Sequence, residues 1–76
     1  MKVVFSDHAK LKIEQRKLSE KKILETVKFP DFMKPSYSLR EERYKNFGKN
    51  WLKAVVIKEK GTIVVITAQW IAKVKE

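Results

Sequence analysis

Seventy-six residues, with 18 basic and 9 acidic side chains, a net charge of +9, one histidine and no cysteine, suit a single domain (1–76) with one modest core. Disulfides and thiolate metal sites are excluded, and a lone histidine among scattered carboxylates argues against a transition-metal site, so no cofactor is expected. The longest apolar runs, Ala54–Ile57 and Ile63–Ile66, are far too short to span a bilayer.

Met1-Lys2-Val3-Val4-Phe5 leads straight into a polar helix start, without the long apolar region of a signal peptide, so the expected address is cytoplasmic. Val3–Phe5 reads as a short strand or an extended lead-in. Ser6 and Asp7 open a helix running to Arg16 or Lys17, with Ser6 as the N-cap and Asp7 at the positive end of the dipole. Leu18-Ser19-Glu20 is a connector, and Ser19 caps a second helix to about Lys28 whose apolar stripe is Ile23, Leu24 and Val27. Pro30 closes it. Two short helices joined this tightly predict a helical hairpin.

The pattern then becomes that of strands. Residues 32–37 are a weak extended segment in which Pro35 favours an edge position. Leu39–Phe47 is polar and alternating, Gly48-Lys49-Asn50 is a turn, and Trp51–Lys58 is apolar. Glu59-Lys60-Gly61 turns the chain into Thr62–Trp70, whose β-branched run predicts a central strand. Ile71–Glu76 extends that strand or frays. The expected fold is α+β: an N-terminal helical hairpin packed on a three- to four-stranded antiparallel meander.

Residues 1–30 carry eight cations and four acids, 31–50 five and three, 51–76 five and two, so the excess is spread over the whole chain. Nucleic acid is the usual partner of such a field; a lysine-rich, merely solvated surface is the alternative. Against fifteen lysines, the three arginines Arg16, Arg40 and Arg43 mark positions where a planar, bidentate donor is wanted.

His8, Lys12 and Arg16 recur at steps of four, so they drift slowly around one side of the first helix. An imidazole near a helix N-terminus, with two cations behind it, suits a phosphodiester; an exposed histidine and a solvated helix-end arginine are the plainer readings. On the polar strand, alternation sets Arg43 and Lys45 on one face and Arg40 and Tyr44 on the other, with Glu41 and Glu42 available for cross-strand ion pairs. Thr67 and Gln69 are polar positions that strict alternation places on the same face as Ile63 and Val65. The expected composite site has His8, Lys12 and Arg16 opening onto one concavity with Arg43. Trp51 and Trp70 read as packing residues in preference to base-stacking platforms.

Phe5-Ser6-Asp7-His8-Ala9, Ile13-Glu14-Gln15-Arg16, Leu18-Ser19-Glu20, Pro30, Arg43-Tyr44 and Val65-Ile66-Thr67-Ala68, in that order, resemble a family of small prokaryotic domains of unknown function grouped with the RelE/ParE toxin superfamily. The resemblance covers nearly the whole chain and implies two N-terminal helices on a curved antiparallel sheet. It also implies a metal-independent ribonuclease that uses the RNA 2′-hydroxyl as nucleophile. His8 would then be the acid/base group, Arg16 and Arg43 the phosphate ligands, and Tyr44 or Thr67 accessory donors. Lys12, Arg16, Arg40, Arg43 and Lys45 would form the RNA-binding set, and an acidic antitoxin protein would cover the basic face. Lys17 stands where such relatives often have glycine. ParE-like members poison gyrase instead, and the late lysine, arginine and tyrosine set of RelE has no residue-by-residue counterpart here. The alternative function is a non-catalytic basic module that binds nucleic acid or an acidic protein.

Overall fold

The computed structural model describes residues 2–73. In chain order the elements are β1 (Lys2–Phe5), α1 (Asp7–Arg16), α2 (Glu20–Lys28), β2 (Phe32–Pro35), β3 (Arg40–Asn46), β4 (Trp51–Glu59) and β5 (Thr62–Ile71). They form one five-stranded sheet in the order β1-β5-β4-β3-β2. β2 through β5 make an antiparallel meander, and β1 lies parallel to the first part of β5. The chain therefore leaves one edge of the sheet, crosses it through the two helices, and returns strand by strand to its starting edge.

The helix ends follow from local chemistry. The Ser6 hydroxyl accepts the Ala9 N–H at 3.0 Å and Ser19 accepts that of Lys22 at 3.2 Å, which relieves donors that have no partner in the first turn. Lys17 ends α1 in the left-handed region at φ 52°. The Leu18 N–H then reaches the Ile13 carbonyl at 2.9 Å, closing the last turn. Both helices cover the same face of the sheet, where Ala9, Leu18, Ile23 and Val27 meet Leu52, Ala54, Val56, Ile63, Val65 and Ala68. Among the described residues the opposite face carries no helix.

Two features of the expected fold are corrected. The sheet has five strands and is mixed, because Val3–Phe5 lie opposite Ile63–Val65 as a parallel edge strand. The helices do not form a hairpin built on each other: α1 packs on β5 and β1, and α2 on β4 and β3. Each short helix has one apolar stripe, and burying it against the sheet leaves no second stripe for its neighbour. Pro35 does sit on an edge strand. Ile71 ends β5; the expectation for residues beyond 73 lies outside the described residues.

A bulge in β5 changes which residues face the helices. Val55 pairs with Thr67 but Val56 pairs with Val65, so Ile66 is an extra residue on β5. Ile63, Val65 and Ala68 consequently face the helices. Thr67 and Gln69 share the opposite, open face with their partners Val55 and Lys53, whereas strict alternation had grouped them with Ile63 and Val65. The bulge coincides with the end of β1. There the Ser6 N–H donates to the Val65 carbonyl at 3.0 Å and its hydroxyl to the Ile66 carbonyl at 3.3 Å.

Candidate nucleic-acid interface

The helix side uses most of the expected phosphate ligands to hold itself together. Arg43 projects under α2 and is only 7% exposed. Its Nε donates to Glu41 at 2.6 Å, and its Nη1 donates to the Val27 carbonyl in the last turn of α2. Lys45 Nζ donates to the Phe29 carbonyl at 3.0 Å. Both cations therefore satisfy carbonyls at the negative end of a helix. Arg16 Nη1 donates to the Ala68 carbonyl at 2.8 Å, on the part of β5 that β1 does not cover.

His8 is exposed in the first turn of α1 and makes no hydrogen bond or ion pair among the described residues; Lys12 is half-buried one turn on. α1 lies over β5 and β1, whereas Arg43 belongs to β3, with β4 between. Two strand spacings amount to about 10 Å. His8, Lys12 and Arg16 thus do not share a concavity with Arg43, and the guanidinium expected to grip phosphate is engaged beneath α2.

The open face assembles a different group. Alternation along β3 places Arg40, Glu42 and Tyr44 there, opposite Arg43 and Lys45, and the register sets Lys34 beside Glu42 and Lys53 beside Tyr44. Lys34, Glu42, Tyr44, Lys53, Gln69, Ile71, Ala72 and Lys73 line a concavity of about 640 Å³. The Tyr44 hydroxyl donates to Glu42 Oε1, and Lys34 Nζ and Lys53 Nζ stand 3.8 and 3.9 Å from the same oxygen. The Tyr44 ring is tilted against Phe32 at 5.7 Å between centroids, with the Lys34 ammonium 5.9 Å from its own centroid.

Burial, then the hydrogen bond to Glu42, then that carboxylate's charge push the Tyr44 pKa far above the ordinary phenol value. Glu42 moves the other way. Its hydrogen bond from Tyr44, aided by Lys53, Ser36 and Lys34, outweighs burial and holds its carboxyl below the usual range. Glu42 is therefore an ionised carboxylate at neutral pH, held by a neutral phenol.

Of the expected site residues, Arg40, Tyr44 and Thr67 reach the open face, with Thr67 across β4 from Glu42. The Arg40 guanidinium lies 6.0 Å from the Tyr37 ring centroid, and its buried Nε has no hydrogen-bond partner among the described residues. Lys34, Glu42, Lys53 and Gln69 were not assigned from sequence. They come from β2, β3, β4 and β5, and only the period-two alternation of β3 hinted that Glu42 and Tyr44 share a face.

The architecture defines a small α+β domain with helices on one face of a mixed sheet and a polar, lysine-lined concavity on the other. A family model described as Domain of unknown function (DUF4258) matches residues 5–70, and the chain belongs to that family. No curated protein and no solved structure matches it. Among the described residues no helix is long and apolar enough to cross a membrane.

Proposed function

We propose that this domain binds single-stranded RNA across the open face of its sheet. The observation that carries the reading is the concavity itself: Lys34, Lys53 and Lys73 line it, the first two beside the Glu42 carboxylate, with Tyr44 and Gln69 as neutral groups, on a chain of net charge +9. Ammonium groups provide the phosphate attraction that dominates nucleic-acid affinity, and a groove without helices admits a flexible strand. The order of short motifs from Phe5 to Ala68 supports grouping the domain with RelE/ParE-related, toxin-like proteins of the cytoplasm. An acidic antitoxin protein would then be the natural cover for its basic surface.

The test is binding of a labelled single-stranded RNA over a range of salt concentrations. Affinity falls with a log–log slope of about −0.7 per phosphate contact. Joint Lys34→Ala and Lys53→Ala substitution flattens the slope by about 1.4, the share of two contacts, while Lys21→Glu on the exposed side of α2 leaves it nearly unchanged. A slope near zero, or equal effects of both changes, overturns the reading. An acidic protein as principal partner is the second reading, favoured by Tyr37 and Leu39, which are 77% and 94% exposed at the β2–β3 turn beside Arg40.

A further inference from the structure

The turn between β2 and β3 holds a costly arrangement that neither the core nor the concavity uses. Leu39 is 94% and Tyr37 77% exposed, the two most exposed large apolar side chains among the described residues. Ser38 and Leu39 both sit in the left-handed region, at φ 59° and 61°, where a bulky side chain is strained. Two backbone bonds fix the turn: the Ser36 N–H donates to the Arg40 carbonyl at 2.8 Å, and the Arg40 N–H to the Tyr37 carbonyl at 3.3 Å. The result is a closed tip that presents Tyr37 and Leu39 to solvent. The meander brings further groups to the same end of the sheet. Arg40 pairs with Ile57, Glu59 with Thr62, and Thr62 with Lys2. Lys2, Arg40, Lys58 and Lys60 are thus gathered there against Glu59, since Glu41 is held by Arg43 at 2.6 Å. In register with Arg40, the half-buried Ile57, Val64 and Val4 form an apolar row across the helix-free face.

We propose that this tip docks the domain on an anionic phospholipid surface, with Leu39 and Tyr37 entering the interfacial layer and Lys2, Arg40, Lys58 and Lys60 facing the headgroup phosphates. Apolar area withdrawn from water and attraction to anionic headgroups together set the strength of such binding. Tyrosine suits the boundary, where its ring is apolar and its hydroxyl stays wet. Lysine stems lie along apolar surface while their ammonium groups remain among the headgroups. RNA would engage the cations but offers no apolar phase to a leucine. A stable protein interface takes about 800 Å² from each partner, and lysine is depleted there; the tip offers two projecting side chains among exposed lysines. A bilayer needs neither a broad complementary surface nor directional acceptors. The concavity is a separate place: Tyr44 lies four residues along β3 from Arg40, about 13 Å toward the opposite end of the sheet.

Sedimentation with vesicles tests the proposal. Vesicles of equal parts phosphatidylcholine and phosphatidylserine are expected to carry the wild-type protein down, and pure phosphatidylcholine vesicles far less of it. A chain of net charge +9 is drawn to any anionic surface, so the deciding variants keep the charge. Leu39→Ser lowers the partition coefficient about tenfold, the share of one large apolar side chain, and Tyr37→Ser lowers it as well. Lys60→Gln lowers it about fivefold, the share of one cation close to the surface. Lys49→Gln, the same charge change in the β3–β4 turn at the opposite end of the sheet, has a much smaller effect. Leu39→Trp reads insertion directly: its added emission shifts to the blue and is quenched by lipids brominated on their acyl chains. Trp51 and Trp70 of the wild type, which lie at the opposite end, are not quenched. Melting curves of each variant confirm folding. Equal binding by the wild type and Leu39→Ser, or quenching of the wild-type tryptophans, means that vesicles attract the basic surface at large and overturns the proposal. Absence of binding to the anionic vesicles also overturns it, returns the tip to a protein partner and leaves the RNA reading standing.

Discussion

Tyr44 is 3% exposed although it lies on the face of the sheet that carries no helix. Phe32 and Lys34 cover its ring, and Glu42 takes its proton donor. Its raised pKa links it to stability with a definite sign. A group whose folded pKa exceeds its unfolded value stabilises the fold fully below the unfolded value, here 10.0, and loses that contribution as pH rises through the folded value. Denaturant midpoints measured upward from about pH 9 should therefore fall faster for the wild type than for Tyr44→Phe. Parallel curves would show that the phenol is not held neutral. Lys17 offers a second residue-scale test. It occupies the left-handed region at φ 52°, where a side chain is disfavoured and glycine is not. Lys17→Gly should raise stability by up to about 1 kcal/mol, after the small loss of a cation at a helix C-terminus; calorimetry would detect it as a higher melting temperature.

The attachment of α2 to the sheet depends on β3 cations. Arg43 and Lys45 give the last turn of α2 and the residue after it the donors their carbonyls lack, while Thr26, buried, returns its hydroxyl to the Lys22 carbonyl at 2.9 Å. Arg43→Ala removes two charge-assisted hydrogen bonds, takes that donor from the Val27 carbonyl and leaves Glu41 only the Lys58 ammonium at 4.0 Å. The expected loss is about 2–3 kcal/mol, which in a domain of this size lowers the melting temperature by on the order of 10 °C or more. RNA affinity measured below that temperature should hardly change, since the guanidinium faces away from the open groove. A large affinity loss at unchanged stability would restore Arg43 to the phosphate-binding set. At this scale much was legible: Ser6 and Ser19 as caps, Pro30 just past a helix end, and β-branched density over Thr62–Thr67 each act within a few residues of chain. The parallel pairing of Val3–Phe5 was not, because its partner lies about sixty residues away and three residues alone cannot distinguish a strand from a lead-in.

For the whole molecule, net charge, the absence of cysteine, a single-domain size and the approximate limits of helices and later strands all follow from amino-acid order. Each depends on composition or on local backbone preference. So does the partition of β3, where a period of two separates Arg43 and Lys45 from Arg40, Glu42 and Tyr44. The position of that strand in the sheet was needed to show which set became structural. With α2 over β3, Arg43 and Lys45 bond to helix carbonyls, and the opposite row meets Lys34 from β2 and Lys53 from β4. The bulge at Ile66 was equally hidden. It shifts Thr67 and Gln69 onto the open face, yet nothing in Val65-Ile66-Thr67 announces an extra residue, since a bulge is a mismatch between two strands and belongs to neither alone. Local preferences are written along one segment of chain; the Lys34–Glu42–Tyr44–Lys53 cluster exists only because packing against the helices sets the register of three separate strands.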